Sequence, residues 1–129
     1  MEKLVWSDKY KVGNPTIDEQ HTKIIGLINT LIEHLDDAVN SEIIVDIIGE
    51  LNQYSYQHLD EEEALLKQVN YPDYEAHLEL HMKYRETIAE LTMDISLGGN
   101  TQVKDFLIFV GQWWSVHIQT EDMKYKAFI

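Results

Sequence analysis

Four stretches of this 129-residue chain carry apolar residues at intervals of three and four, and short breaks separate the stretches. Side chains at that spacing share one face of an α-helix, which has 3.6 residues per turn. No stretch of comparable length alternates apolar and polar residues as a half-buried β-strand does. The sequence therefore predicts an all-α protein with helices over about residues 16–37, 41–69, 73–96 and 101–122.

Residues that favour helix ends lie at the predicted boundaries. Pro15 cannot continue a helix towards the amino terminus, and residues 16–19 (Thr-Ile-Asp-Glu) fit a capping box. Ser41 is a suitable N-cap for the second helix, and Pro72 fits the first turn of the third. The first three predicted helices thus have residues at their starts that favour a helix end.

Helices of about 20 residues joined by short connections are expected to pack as an antiparallel up-down-up-down four-helix bundle. A chain of 129 residues supplies one hydrophobic core, so we expect a single domain over residues 1–129. Residues 1–15 precede the first predicted helix and are expected to form an extended N-terminal arm.

The composition excludes several classes of protein. A formal net charge of −13 argues against binding to nucleic acids and to anionic membranes, which require a basic surface. No run of 18 apolar residues suggests a membrane span, and the first residues do not resemble a signal peptide. The chain has no cysteine, so disulfides, thiolate zinc sites and iron–sulfur clusters are excluded. We expect a cytoplasmic protein.

Five of the six histidines and two carboxylates fall on the apolar faces of the predicted helices. A buried imidazole or carboxylate costs several kcal/mol unless it is paired, so seven such groups require a partner in the core. Two metal ions bridged by the carboxylates would supply it. The predicted ligands are His21, His58, Glu62, His77, His81, His117 and Asp122. The sixth histidine, His34, is predicted to face away from this site.

Spacing supports the pairing of these ligands within helices. His77 and His81 are four residues apart, as are His58 and Glu62, so each pair points the same way. Nitrogen and oxygen ligands of this kind suit iron, but also manganese, zinc or cobalt. Four neighbouring acidic residues are expected on solvated faces: Asp60, Glu61, Glu63 and Glu121.

His117 and Asp122 are five residues apart, which an ideal helix would separate by about 140°. For both side chains to face one site, the helix must end between them or contain a wider turn. We therefore predict a departure from regular α-helix between Ser115 and Met123.

The arrangement of these residues resembles that of bacterial hemerythrins, single-domain relatives of the non-haem oxygen carriers of marine worms. The resemblance covers essentially the whole chain. Its motifs are residues 6–10 (Trp-Ser-Asp-Lys-Tyr), residues 17–21 (Ile-Asp-Glu-Gln-His), His58-x-x-x-Glu62-Glu63, His77-x-x-x-His81, and Trp113-x-x-x-His117-Ile118-x-x-x-Asp122.

The resemblance implies two iron ions, cycling between Fe2+ and Fe3+ and joined by a hydroxide or oxide. One iron would be held by three histidines; the other would be held by two and keep an open position. Two carboxylates would bridge them. The first iron would be held by His77, His81 and His117, and the second by His21 and His58. The bridging carboxylates would be Glu62 and Asp122.

The implied function is reversible dioxygen binding for storage, transport or delivery, with no catalytic residue. The chain lacks the Glu-x-x-His motif of ferritin-like oxidases, and a carboxylate-poor site favours carrying oxygen over activating it. Leu59 and Gln119 depart from the residues usual in oxygen-carrying relatives. The candidate oxygen pocket consists of Ile24, Leu59, Trp113, Ile118 and Gln119.

Two other functions remain open. One is oxygen or redox sensing through a separate signalling protein, in place of delivery to an oxygen-accepting protein. The other is a di-iron enzyme that handles peroxide, nitric oxide or nitrite. Iron storage is disfavoured, because nothing in the sequence indicates a cage.

Overall fold

The computed structural model describes residues 1–35 and 41–129, and these form four α-helices without any β-strand. The helices are α1 (Pro15–Glu33), α2 (Ser41–Gln68), α3 (Tyr74–Ser96) and α4 (Val103–Thr120). Two 3₁₀ segments, Asp8–Tyr10 and Asp122–Phe128, flank the bundle. The predicted fold class is confirmed. The predicted helical residues 36–37 and the capping side chain of Ser41 lie outside the described part of the chain.

The start of α1 differs from the prediction. The Asn14 side chain is the N-cap and accepts a hydrogen bond from the Ile17 backbone at 3.1 Å. The predicted capping box is therefore wrong, because the cap lies two residues earlier. The carboxylate of Asp18 instead accepts from the Val12 backbone at 2.7 Å. It ties the end of the N-terminal arm to the first turn of the helix.

The two later helices begin slightly after their predicted starts. Helix α3 begins at Tyr74 with Asp73 as its N-cap, so Pro72 precedes the cap and does not lie in the first turn as predicted. The first turn of α4 has a reciprocal capping box formed by Gln102 and Asp105. At α4 the Asp105 carboxylate accepts a hydrogen bond from the Gln102 backbone at 2.8 Å, whereas the Asp73 side chain makes no capping hydrogen bond at the start of α3.

The bundle is antiparallel, with each helix contacting the next and α4 closing on α1. The predicted ligands show the alternation of direction. They lie early in α1, late in α2, early in α3 and late in α4, and yet they meet at one level of the bundle. Near the other end, Asn52 of α2 donates to Thr92 of α3 at 2.9 Å.

The N-terminal arm packs along α1 and α4. Its Leu4 backbone makes two hydrogen bonds with the side-chain amide of Asn29, at 2.7 and 2.8 Å. Trp6 stacks on Tyr10, with ring centroids 5.4 Å apart. These contacts extend the core beyond the four helices.

Two apolar clusters lie on either side of the ligand level. The larger fills most of the bundle and includes Ile24, Leu51 and Tyr84. The smaller, formed by Val12, Ile17, Leu66, Tyr71 and Tyr125, covers the end at which α2 turns into α3. The ligands therefore lie between two layers of buried apolar side chains. In the described ranges, no helix has the length and apolarity needed to cross a bilayer.

Candidate metal centre

The seven predicted ligands converge in the core. They come from all four helices and from the C-terminal 3₁₀ segment, and none is more than 4% exposed. Their potential donor atoms form two groups, within each of which the atoms lie within 4.8 Å of one another. Both groups contain Glu62 and Asp122. The first adds His77, His81 and His117, and the second adds His21 and His58.

Glu62 lies between the two histidine groups and presents one oxygen to each. Its Oε1 is 2.8 Å from Nε2 of His77 and 3.3 Å from Nε2 of His81. Its Oε2 is 3.1 Å from Nε2 of His58. This is the orientation that a carboxylate bridging two ions requires.

Asp122 is oriented in the same way from the opposite side. Its Oδ1 is 3.0 Å from Nε2 of His117, and its Oδ2 is 3.2 Å from Nε2 of His21. Helix α4 ends at Thr120 and the chain continues as a 3₁₀ segment from Asp122. Of the two predicted alternatives, the helix end is therefore the one found, and it turns the carboxylate back towards the histidines.

Several buried nitrogen and oxygen atoms of the predicted ligands lack a hydrogen-bond partner. Both ring nitrogens of His21, Nε2 of His58 and both oxygens of Asp122 are among them, although opposite charges lie nearby. Each such group ordinarily costs about 1–3 kcal/mol. A metal ion would satisfy Nε2 of His21, Nε2 of His58 and the two oxygens of Asp122, because these atoms face the same centre.

The spacing of two further nitrogens fits the same interpretation. Nε2 of His81 and Nε2 of His117 lie 3.1 Å apart. Adjacent ligands on an octahedral ion with bonds of about 2.1 Å lie about 3 Å apart. Five imidazoles and two carboxylates, with no sulfur donor, are a donor set that fits a di-iron site.

Without metal, burial and the neighbouring charges shift the pKa values of the ligand residues in opposite directions. Burial disfavours charge on all these groups, but Asp122 and Glu62 outweigh it at His21 and His77 and raise the pKa of each to about 9. At His58 burial dominates and lowers the pKa. Burial likewise opposes ionisation of the two carboxyls, yet the nearby histidines hold both pKa values well below their usual range. The metal-free site is thus a cluster of mutually dependent charges.

These shifts predict opposite pH dependences for metal-free and metal-loaded protein. The stability that His21 and His77 contribute without metal is fully present below pH 6.5 and is lost as the pH rises through about 9. The lowered pKa of His58 reduces stability only below pH 6.5. Metal binding requires neutral imidazoles, so the loaded protein should hold its stability up to pH 9 and lose it on acidification. Melting temperatures between pH 6 and 9.5 test this, and a metal-free protein that becomes more stable with rising pH would contradict it.

Gln20 supports the two-histidine group by a hydrogen bond to the ring nitrogen of His58 that faces away from the centre. Its Oε1 accepts a hydrogen bond from Nδ1 of His58 at 2.6 Å, and its Nε2 donates to the exposed carboxylate of Glu61. The amide thereby fixes the ring so that Nε2 of His58 points to the centre. The sequence does not predict this role, because nothing in the spacing of Gln20 distinguishes it from other polar helix residues.

Glu63 supports the three-histidine group, and its predicted solvation is wrong. Its Oε2 accepts from Nδ1 of His81 at 2.8 Å and from Nη1 of Arg85 at 2.8 Å. Its side chain is only 15% exposed, because it points from α2 towards α3. The sequence does carry a signal, since Arg85 lies four residues after His81 and so on the same face. Asp60, which Arg85 also binds, is exposed as predicted.

Tyr125 is a third supporting residue, and its role is not predicted from the sequence. Its buried hydroxyl donates to Oε2 of Glu62 at 3.0 Å. In a 3₁₀ segment, residues three apart eclipse one another, so Tyr125 faces the same way as Asp122. Burial and the nearby carboxylates raise the pKa of its phenol, so it remains a donor.

One predicted pocket residue, Trp113, lies on the three-histidine side of the centre. Trp113 stacks on His117 with centroids 4.2 Å apart and lines a groove of about 350 Å³ between α3 and α4. Its neighbour Trp114 is the tryptophan beside His58, at 5.6 Å. Consecutive helical residues point about 100° apart, which separates the two rings. The fully buried pocket candidates are Ile24, Leu59 and Ile118.

Two remaining polar residues lie apart from the ligands. The half-buried amide of Gln119 donates to the backbone carbonyl of Ser115 at 2.9 Å and to its hydroxyl at 3.2 Å. The same hydroxyl lies 3.2 Å from the hydroxyl of Tyr10. His34 is at the C-cap of α1, partly exposed, and belongs to neither ligand group.

Comparison with known proteins agrees with this geometry. Residues 12–129 match the family described as "Hemerythrin HHE cation binding domain". A hemerythrin-like protein of Naegleria gruberi is 32% identical over 124 residues, covering 96% of this chain and 92% of the relative. A bacteriohemerythrin of Pseudomonas aeruginosa is 30% identical over 130 residues, covering 97% and 80%. The crystal structure of a wild-type hemerythrin superposes with a TM-score of 0.91 at 24% identity, covering 98% of each chain, and shows the same fold.

Proposed function

Because the chain belongs to the hemerythrin family, we propose that it binds dioxygen reversibly at a non-haem di-iron centre held by the seven converging side chains. The single observation that carries the proposal is the pair of ligand groups that share Glu62 and Asp122. When bound, the two irons would supply one electron each to dioxygen and recover them on its release.

In this proposal the side chains hold and balance the ions. The group of His77, His81 and His117 would hold one iron, and the group of His21 and His58 would leave the other with an open position. The two bridging carboxylates would offset half of the charge of two ferrous ions in a region from which water is excluded. The function thus requires little net charge to enter or leave the core.

The residues around the two-histidine group would form the oxygen pocket. Ile24, Leu59, Ile118 and Trp114 are fully buried, and Trp114 contacts His58. An apolar lining admits dioxygen while keeping water from the iron. In this proposal Trp114 replaces Trp113, whose ring packs on the three-histidine side.

The members of this family are oxygen binders and not primarily enzymes, which supports a carrier. We propose that the protein stores, transports or delivers oxygen in the cytoplasm, in exchange with an oxygen-accepting protein. If oxygen binding instead controls a signalling partner, the same centre would serve as a sensor.

The visible absorption spectrum of anaerobically Fe(II)-loaded protein tests the proposal. We expect a band that appears on adding oxygen and disappears on purging with argon. A spectrum that changes irreversibly to the ferric form would contradict reversible binding and favour an enzyme that handles peroxide, nitric oxide or nitrite. No change at all would contradict the di-iron assignment.

Gln119 gives a further prediction about the stability of the oxygenated form. Its amide is polar and only partly buried on α4, two residues from His117. Because this amide is bonded to Ser115 and positions two apart on a helix face different sides, we expect Gln119→Leu to leave the rate of irreversible oxidation of the iron unchanged. The rate of loss of the oxygen-dependent band measures it. A slower loss of the band in the variant would show instead that Gln119 faces the oxygen pocket.

A further inference from the structure

The two ligand groups differ in the hydrogen bonds that support them from behind. In the three-histidine group, His81 donates to a carboxylate, Glu63, at 2.8 Å. In the two-histidine group, His58 donates to a neutral amide, Gln20, at 2.6 Å. A carboxylate acceptor draws the Nδ1 proton more strongly than an amide does, and so makes the opposite nitrogen the stronger electron donor.

The hydrogen bond from Tyr125 acts in the same direction. Its hydroxyl binds Oε2 of Glu62, the oxygen that faces His58, and not Oε1, which faces His77. A donor withdraws electron density from the oxygen that it binds. The bridging carboxylate therefore offers its weaker oxygen to the two-histidine group.

From this asymmetry, and resting on the proposed function, we infer that the supporting residues separate the redox potentials of the two positions. The three-histidine position, backed by Glu63, stabilises the ferric state and loses its electron at the lower potential. The two-histidine position, backed by Gln20 and Tyr125, stays ferrous to a higher potential. The position proposed to bind oxygen is thereby kept reduced. Hydrogen bonding to ligands is an established control of iron potentials.

Arg85 allows a test by the direction in which the lower potential shifts. Its guanidinium binds the same oxygen of Glu63 as His81 does and partly neutralises that carboxylate. Glu63→Gln removes the charge and should raise the lower potential. Arg85→Met leaves the charge uncompensated and should lower it. A merely structural disturbance of His81 would move both variants in the same direction.

The experiment is an anaerobic spectroelectrochemical titration of the iron-loaded protein, in which each position releases one electron to the electrode through soluble mediators. We expect two separate one-electron steps. Glu63→Gln should change the oxidised-to-reduced ratio of the first step by about tenfold at fixed potential, equivalent to about 59 mV. Arg85→Met should give a shift of opposite sign. Glu79→Gln, which removes an exposed charge from α3, should move neither step.

Variants of the other group should act on the second step. The exchange Gln20→Glu with Glu61→Gln gives His58 a carboxylate acceptor while keeping a hydrogen-bonding partner behind it. Tyr125→Phe removes the donor from Glu62. Each should lower the upper potential and narrow the separation of the steps.

Two readouts distinguish failure of this inference from failure of the proposed function. Suppose that two reversible steps are found, but that Glu63→Gln and Arg85→Met leave the potentials unchanged or shift them in the same direction. This result would overturn the inference and leave the proposed function standing. Absence of any reversible step would overturn the proposed function and the inference with it. Nitrogen NMR of His81 in the zinc-loaded protein, which is redox-inert, should show a proton on Nδ1 in the native protein. An unprotonated Nδ1 would also overturn the inference.

Discussion

Glutamine in place of Glu62 is expected to leave at most one iron per chain and to abolish the reversible oxygen response. The side chain keeps its size but loses the negative charge that faces both histidine groups. Removing one partner from a buried charge cluster costs about 3–5 kcal/mol, which weakens metal binding by more than about a hundredfold. Iron content after anaerobic loading and desalting measures the effect.

A matched control is available on the same helix. Glu50→Gln makes the same chemical change at an exposed position three turns before Glu62. It should retain the iron content and oxygen response of the native protein. Full iron content in Glu62→Gln would show that this carboxylate is not a ligand.

Removal of metal is expected to lower the stability of the whole bundle. The centre ties together four helices and the C-terminal segment, and its orphaned nitrogen and oxygen atoms have no other partner. An ion present at a thousand times its Kd stabilises the folded state by about 4 kcal/mol. For a domain of this size, that corresponds to a rise in Tm of roughly 15 °C for each ion.

Thermal unfolding followed by circular dichroism, with and without Fe(II) under anaerobic conditions, tests this prediction. Mg²⁺ at the same concentration serves as the control, because it prefers oxygen ligands and retains its water. Equal melting temperatures for iron-loaded and metal-free protein would mean that the core polar groups are satisfied without metal.

The fold was predictable because periodicity and burial are strongly coupled in helices. Residues such as Ile24, Ile28 and Leu31 recur at helical spacing and are fully buried. The histidines were recognised as site residues because they interrupt these same faces. Helix ends were less predictable: the cap at Asn14 depends on backbone geometry, and several nearby residues could have served equally well by type.

The supporting residues were harder to predict for a physical reason. Glu63, Gln20 and Tyr125 act through hydrogen bonds between elements that are distant in sequence, and each looks like an ordinary surface or core residue within its own helix. Glu63 faces His81 because α2 packs against α3, and the signal of this contact in the sequence is the position of Arg85 four residues after His81. Likewise, the side of the centre on which Trp113 packs depends on the rotation of α4.

The most direct test of reversible binding at a di-iron centre is the amount of dioxygen taken up and released per chain, measured with an oxygen electrode together with the iron content. We expect two irons and one dioxygen per chain, with the dioxygen recovered when the oxygen pressure is lowered. Dioxygen that is consumed and not recovered, or uptake that does not depend on iron, would contradict it.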